Sequence, residues 1–242
     1  MLLDITQEDR QLWVSYFNLD GKTRFKTYDL KPEDMFNWEV CDEGDSKADS
    51  KMKNWDGRSV KKVRSRWLNK YRIIEYMDNL SFSDRELIFG YHFPRTYFVD
   101  IEVEVTDSFP EPSKAANPVT TICIVTPERQ CIVLATKDLD NQTQTKIQKQ
   151  IDEHFKDIDD DFSFTFKCFK SEYDMMYTFF KELAPKMSLI TGWNWLGYDW
   201  PYLMNRAKRL GIDPRIISPS GVLIGKAQLP QHLLMVDYLD IY

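Results

Sequence analysis

Tyr97-Phe98-Val99-Asp100-Ile101-Glu102-Val103-Glu104-Val105 decides how this chain reads, because apolar and acidic residues alternate from Val99 onward. In a β-strand, successive side chains point to opposite faces. Val99, Ile101, Val103 and Val105 therefore share a core face, and Asp100, Glu102 and Glu104 share the other. Like charges held this close cost free energy unless a cation compensates. Hard oxygen ligands suit Mg²⁺ or Mn²⁺. The competing reading is an edge strand whose charges deter pairing with another chain.

The chain has 242 residues, 43% of them apolar and 14% aromatic, which is enough to bury a core in one or two domains. Its net charge of −6 leaves no global basic footprint for nucleic acid. A local patch can still act, since charges are felt over a Debye length of about 8 Å. Cys41, Cys123, Cys131 and Cys168 are widely spaced and form no C-x-x-C or Cys/His zinc pattern, so reduced thiols are expected. With only His92, His154 and His232, a histidine-based metal site or triad is not expected. No secretory signal or long apolar run is present, which points away from export and membranes and toward the cytoplasm.

Upstream of the acidic strand, Gln11–Phe17 and Thr23–Tyr28 read as a hairpin turned at Asp20-Gly21. Residues 30–58 are polar, with an exposed loop at Glu43–Ser46. From Lys51 to Arg72 there are nine basic residues against one acidic residue, interleaved with Trp55, Trp67 and Tyr71. One reading is a phosphate-contacting surface with stacking aromatics, with Lys61, Lys62 and Arg64 at its centre. The other is an amphipathic helix over about Val60–Leu80, its aromatics turned to a core.

Downstream, Pro110, Pro112 and Pro118 make a stiff loop leaving the acidic strand. Val119–Thr126 and Cys131–Thr136 read as strands, Gln144–Phe155 as a helix and Phe162–Phe166 as a half-buried strand. The acidic run Asp157–Asp161 lacks the spacing and glycine of a calcium loop and reads as a solvated connection. Ser171 opens a helix with an apolar stripe through Met175, Met176, Phe179, Phe180 and Leu183. Ser188–Trp193 is a strand, Gly197 a turn residue and Pro201 the first turn of a helix that stops at Gly211. Val222–Ile224 and Leu233–Leu239 are final strands. This alternation indicates an α/β domain around a mixed sheet.

Asp199 begins the helix after the strand. A carboxylate there suits free N–H groups and the helix dipole, so capping is the plain reading. Paired with Asp100 and Glu102, it gains another. Phosphodiester hydrolysis needs an activated water and neutralised charge, which two metal ions about 3.5–4 Å apart supply when several carboxylates hold them.

Val99-Asp100-Ile101-Glu102-Val103 resembles the first exonuclease motif, Asp-x-Glu, of family B DNA polymerases. Thr191-Gly192-Trp193-Asn194-Trp195-Leu196-Gly197-Tyr198-Asp199-Trp200-Pro201-Tyr202 resembles their second, Asn-x-x-x-(Phe/Tyr)-Asp. Phe109-Pro110-Glu111-Pro112-Ser113, Asn205-Arg206 and Tyr238–Tyr242 are similar to segments of the polymerases of T-even-like phages in particular. The resemblance implies an α+β N-terminal domain over 1–96 and a 3′→5′ proofreading exonuclease domain of ribonuclease-H-like fold over 97–242. It implies catalysis with two Mg²⁺ or Mn²⁺ ions held by Asp100, Glu102 and Asp199. Asp100 would bridge them, Glu102 would bind the water-activating ion, and Asp199 would hold the second, directly or through water. Asn194 and Tyr198 would shape the pocket, and Phe109 would stack on terminal bases. The implied partners are a single-stranded DNA 3′ end, a sliding clamp and other replisome proteins, in a host cytoplasm if phage-encoded. Glu104 departs from the pattern, since relatives carry a hydroxyl residue there, and it is read as solvent-facing. The family's third motif, Tyr-x-x-x-Asp, does not follow Asp199, and Asp237 and Asp240 read as structural or loop carboxylates. The expectation is therefore a chain that lacks its polymerase portion, by truncation or by completion from a companion polypeptide, with little or no activity alone.

Overall fold

The computed structural model describes residues 1–106, 109–156 and 162–241. The acidic run at 157–161 and the last residue of the 238–242 segment lie outside these. The chain divides into two compact units, Met1–Asn18 with Arg24–His92, and Leu19–Thr23 with Phe93–Tyr242.

In the first unit, β1 (Leu2–Glu8), β2 (Gln11–Phe17) and β3 (Thr23–Asp29) form a sheet in that order. The β2–β3 pair is the expected hairpin, and β1 is an addition that pairs antiparallel with β2. A second pair joins β4 (Phe36–Val40) to β5 (Val60–Arg64), with Phe36 opposite Arg64 and Trp38 opposite Lys62. Two helices follow, α1 (Lys70–Asp78) and α2 (Phe82–Phe89). Asn69 and Ser81 open them by accepting from the backbone N–H of Arg72 and Asp84. Val14 and Tyr16 of β2 pack with Met77 and Ile88 of the helices.

The helix expected over Val60–Leu80 is corrected. Val60–Arg64 is a strand because its side chains alternate and pair with β4, and the helix waits for the Asn69 cap. Its aromatics do not face a core: Trp55, Trp67 and Tyr71 are 93%, 52% and 70% exposed.

In the second unit, β6 (Thr96–Val103), β7 (Val119–Val125) and β8 (Gln130–Ala135) form an antiparallel meander. α3 (Asn141–His154) precedes β9 (Ser163–Cys168), which pairs parallel to β8. α4 (Glu172–Thr178) runs into a π-helical turn at Phe179–Leu183 and leads to β10 (Leu189–Gly192). α5 (Trp200–Arg209) follows, then the short pair β11 (Leu223–Ile224) and β12 (Leu229–Pro230), and then β13 (Leu234–Asp237). Among the described residues the sheet has the order β13-β10-β6-β7-β8-β9, and only β7 runs against the rest. The mixed α/β sheet is as expected. Gln148 of α3 covers the outer strand, accepting from Phe164 N–H at 2.9 Å and donating to Phe162 O at 3.2 Å. No helix among the described residues is long and apolar enough to cross a membrane.

The alternation of β6 is realised as far as Val103. Val99 and Ile101 are buried with Ile122 and Ile124 of β7, Met175 and Met176 of α4, and Phe179 and Phe180 of the π-helical turn after it. Asp100 and Glu102 are exposed on the opposite face. The register then slips between Glu102 and Val103, and the strand ends. Val105 was expected in the core, but lies past this irregularity and is 61% exposed. Glu104 is exposed, its N–H donating to Pro118 O at 2.9 Å.

β6 and β10 pair only at Thr96–Phe98 against Leu189–Thr191. At Gly192 the strands still pass so closely that a Cβ would collide with the Val99 carbonyl oxygen. That oxygen is backbone and cannot swing aside. Gly192→Ala is expected to cost about 1–3 kcal/mol, as overpacking does. A urea melt with an unchanged midpoint would refute the close approach.

Candidate active site

Beyond Thr191 the two parallel strands part, and the backbone of β6 is left without a strand partner on that side. The segment after Gly192 fills the gap. Asn194 turns the chain in the left-handed region at φ 55°, where asparagine is among the most tolerant non-glycine residues. Trp195–Asp199 then forms a π-helical turn, closed by Trp200 N–H donating to Trp195 O. This register buries Trp195 and Trp200 together, ring centroids 6.3 Å apart. Gly197 is not the turn residue expected; it sits inside the π-turn, where a Cβ would collide with the Asn194 side-chain oxygen.

Asp199 ends the turn. It does not cap α5: its own φ and ψ are helical, and its side chain makes no cap hydrogen bond. Its carboxylate lies toward β6, where Oδ1 accepts from Ile101 N–H at 3.3 Å. Asp199 is buried at 5% exposure. Burial first, and the nearby Asp100 carboxylate second, push its pKa up to about 7, with Asp237 adding a smaller push. Ile101 N–H holds the ionised form against these forces.

Asp100 on β6 thus lies close enough to Asp199, at the end of the π-turn, for its charge to oppose ionisation there. Glu102 shares the Asp100 face, one strand repeat along. Among the described residues no group of three His, Cys, Asp or Glu side chains is gathered as a metal cage. Asp237 is a structural acceptor, taking Leu196 N–H at 2.9 Å and Leu239 N–H at 3.0 Å. Asp240 is exposed in the following turn. Buried His232 is pulled down to about 4 by burial, with Nε2 3.2 Å from Ala184 O, so it is neutral.

Phe109 is 75% exposed, yet its ring lies 5.2 Å from that of Tyr198, the residue before Asp199. Tyr198 also stacks on Tyr202 at 5.7 Å. Asn194 is exposed at the entrance to the π-turn. Asp100, Tyr198, Asp199 and Phe109 are thus brought together. Phe98, half exposed and two residues before Asp100, joins the same face of β6. It went unremarked, although strand alternation was enough to place it there.

Asn205-Arg206 and the proline loop, quoted above only for their resemblance, meet in the structure. Tyr202, Asn205 and Arg206 of α5 bind the proline loop that carries Phe109. Asn205 Nδ2 donates to Pro112 O at 3.0 Å, and Tyr202 Oη to Asn117 O at 2.9 Å. Arg206 Nη1 donates to Ala115 O and Ala116 O at 3.2 and 2.7 Å. Its Nε and Nη2 fork onto Glu172 at 2.7 and 2.6 Å. Glu172 also accepts from Val119 N–H at 2.7 Å, where the loop becomes β7.

Lys61, Lys62 and Arg64 do not form one surface. Lys61 pairs with Asp45 at 2.8 Å and has Glu39 opposite it in register. Strand alternation places Lys62 and Arg64 on the other face. Lys62 lies over the rings of Phe36 and Trp38 at 4.5 and 5.2 Å, and Arg72 over Phe36 at 4.2 Å.

Residues 69–221 match the model of the DNA polymerase family B exonuclease domain. A shorter stretch of 48 residues is 40% identical to the DNA polymerase catalytic subunit of Epstein–Barr virus, strains B95-8 and AG876. It covers 19% of this chain and 5% of each viral protein. The mixed sheet is that of a ribonuclease-H-like exonuclease domain.

The buried Asp199 makes stability depend on pH. Its folded pKa of about 7 lies above the ordinary carboxylate value of 3.8, so its contribution is full below the lower value and is lost as pH rises through the upper. In EDTA, Asp199→Asn is expected to gain on the wild type steadily as pH rises from 5 toward 7. At pH 8 it should melt higher by at least about 3 °C, given a Tm shift of about 2–4 °C per kcal/mol. Equal melting temperatures at pH 5 and at pH 8 would show that the carboxylate is not strained.

Proposed function

Because this chain belongs to the exonuclease-domain family of the family B DNA polymerases, we propose that it carries the proofreading site that removes the 3′-terminal nucleotide of a DNA strand. The observation that supports this most is buried Asp199, whose ionisation is opposed by its burial and by the nearby Asp100 carboxylate, beside the Phe109–Tyr198 ring pair. A hard divalent cation fits these donors, because its charge offsets that opposition. Asp100, Glu102 and Asp199 would hold Mg²⁺ or Mn²⁺, two ions in the complete site. When bound, such ions activate the attacking water and neutralise the departing oxygen.

The chain's own residues supply the rest. Phe109 and Tyr198 present ring faces for unpaired terminal bases, and base stacking is worth about 1–3 kcal/mol per base. Ile101 N–H and the π-turn fix the Asp199 carboxylate, so little reorganisation is needed. Two carboxylates close together, with Glu102 farther along the strand, make an open cage, so turnover by this chain alone should be slow. The parent would be a DNA-directed DNA polymerase of T-even-like phage type, working in a host cytoplasm with a sliding clamp, its polymerase portion in the same or a companion polypeptide.

Ten millimolar Mn²⁺ is expected to raise the melting temperature of the wild type but not of Asp100→Ala. Incubated with single-stranded DNA, the wild type should shorten the 3′ end slowly, and Asp100→Ala should not. Shortening that survives Asp100→Ala, or that starts from the 5′ end, would sink the proposal.

A second reading rests on the exposed Trp67 and Tyr71, whose rings lie under Arg66 and Lys70 at 5.4 and 4.9 Å. The first unit would then bind single-stranded nucleic acid without cleaving it. Lys62→Glu with Arg64→Glu should weaken metal-independent binding about tenfold, measured by anisotropy in EDTA. Unchanged binding removes this reading.

A further inference from the structure

We infer that Asn205 and Arg206 are positioning residues: they hold the proline loop so that Phe109 stays against Tyr198, and thereby set the grip on a 3′ end. This rests on the proofreading reading above. Between Glu104 and Val119 the loop contains three prolines, and Ala115 sits at φ 40°, a region that a residue with a Cβ rarely adopts. Such a conformation persists only where its surroundings impose it.

What imposes it is one side of α5. Tyr202, Asn205 and Arg206 stand at helical spacing, three and four residues apart. Between them they take the carbonyls of Pro112, Ala115, Ala116 and Asn117. Arg206 reaches two of these only because Glu172 holds the other edge of its guanidinium, in a pair whose side chains are 11% and 13% exposed. The planar fork suits arginine, and lysine cannot reproduce it. The same Glu172 anchors the loop's far end at Val119 N–H, and Asn117 ties back to Glu104 O at 2.6 Å.

The helix that grips the loop is also the helix that follows the Asp199 turn. Tyr198 lies four residues before Tyr202 and stacks on it. One rigid element therefore carries the carboxylate, one ring of the aromatic pair and the fasteners of the loop that brings the other ring. Phe109 itself is 75% exposed and has little burial of its own to hold it. Its place depends on the fasteners, which touch neither the carboxylates nor any reacting atom.

The test uses the whole chain, with Phe and Tyr selectively labelled. A ring-to-ring nuclear Overhauser cross-peak between Phe109 and Tyr198 is expected in the wild type. It should fall at least about twofold in Asn205→Ala and in Arg206→Lys, since the contact falls steeply with distance. Leu134→Val, a core change on β8 of similar stability cost, should leave it intact. In Ca²⁺, an oligonucleotide with 2-aminopurine at its 3′ end should bind about tenfold more weakly to Asn205→Ala, as to Phe109→Ala. Leu134→Val should bind it normally. A cross-peak unaltered in both α5 variants overturns the inference. So does a lost cross-peak with unchanged affinity when Phe109→Ala binds weakly. If the wild type binds no oligonucleotide, the proofreading reading fails, and the cross-peak alone decides the role of the fasteners.

Discussion

A single hydrogen bond stands at the centre of this molecule, from Ile101 N–H to the buried carboxylate of Asp199. It exists because two parallel strands separate. Were β10 to stay paired with β6 beyond Thr191, a backbone carbonyl would take that N–H, and no side chain could reach it. The parting exposes a strand-edge donor inside the protein, where leaving it unpaired costs about 1–3 kcal/mol. Asp199 satisfies that donor and in return is held in an apolar place beside another negative charge. The donor's gain is the acid's strain.

The rest of the second unit serves this arrangement. Val99 and Ile101 anchor β6 from below, so that Asp100 projects above without tilting. Trp195 and Trp200 bury themselves on either side of the π-turn, and Trp200 Nε1 donates to Ala227 O at 2.9 Å. The π-turn is costly as a local structure, and two buried indoles of about 150–250 Å² each are a sufficient compensation. Asp237 closes the start of the turn through Leu196 N–H.

Much of this was legible where a short period governs. The alternation of β6 placed Asp100 and Glu102 on one face and Val99 and Ile101 on the other, as the strand has them. Ser171 opens its helix as expected, and Gly211 follows α5 at φ 78°. The failures have a common cause. Val105 continues the alternation in sequence, but a slip against β7 ends the strand, and a slip is a property of the pair rather than of either chain segment. The Val60–Arg64 strand was taken for helix because its partner, Phe36–Val40, is far away in sequence. Asp199 looked like a cap because nothing in its neighbours announces a π-turn. The tryptophans five apart were the available hint, since that spacing faces two directions on an α-helix.

The π-turn has a consequence for how this segment can change its length. It holds one residue more than an α-helical turn would between the same two ends. Deleting one residue of the turn would let its backbone relax toward an ordinary α-helical turn. The residues just before the deletion would then be turned by about 100° relative to α5. Asn194, Gly192 and the carboxylate could no longer all keep their places. The count of residues between strand and helix is therefore as much a part of the site as the acids themselves, and a substitution at Asp199 would be easier to repair than a shortening beside it.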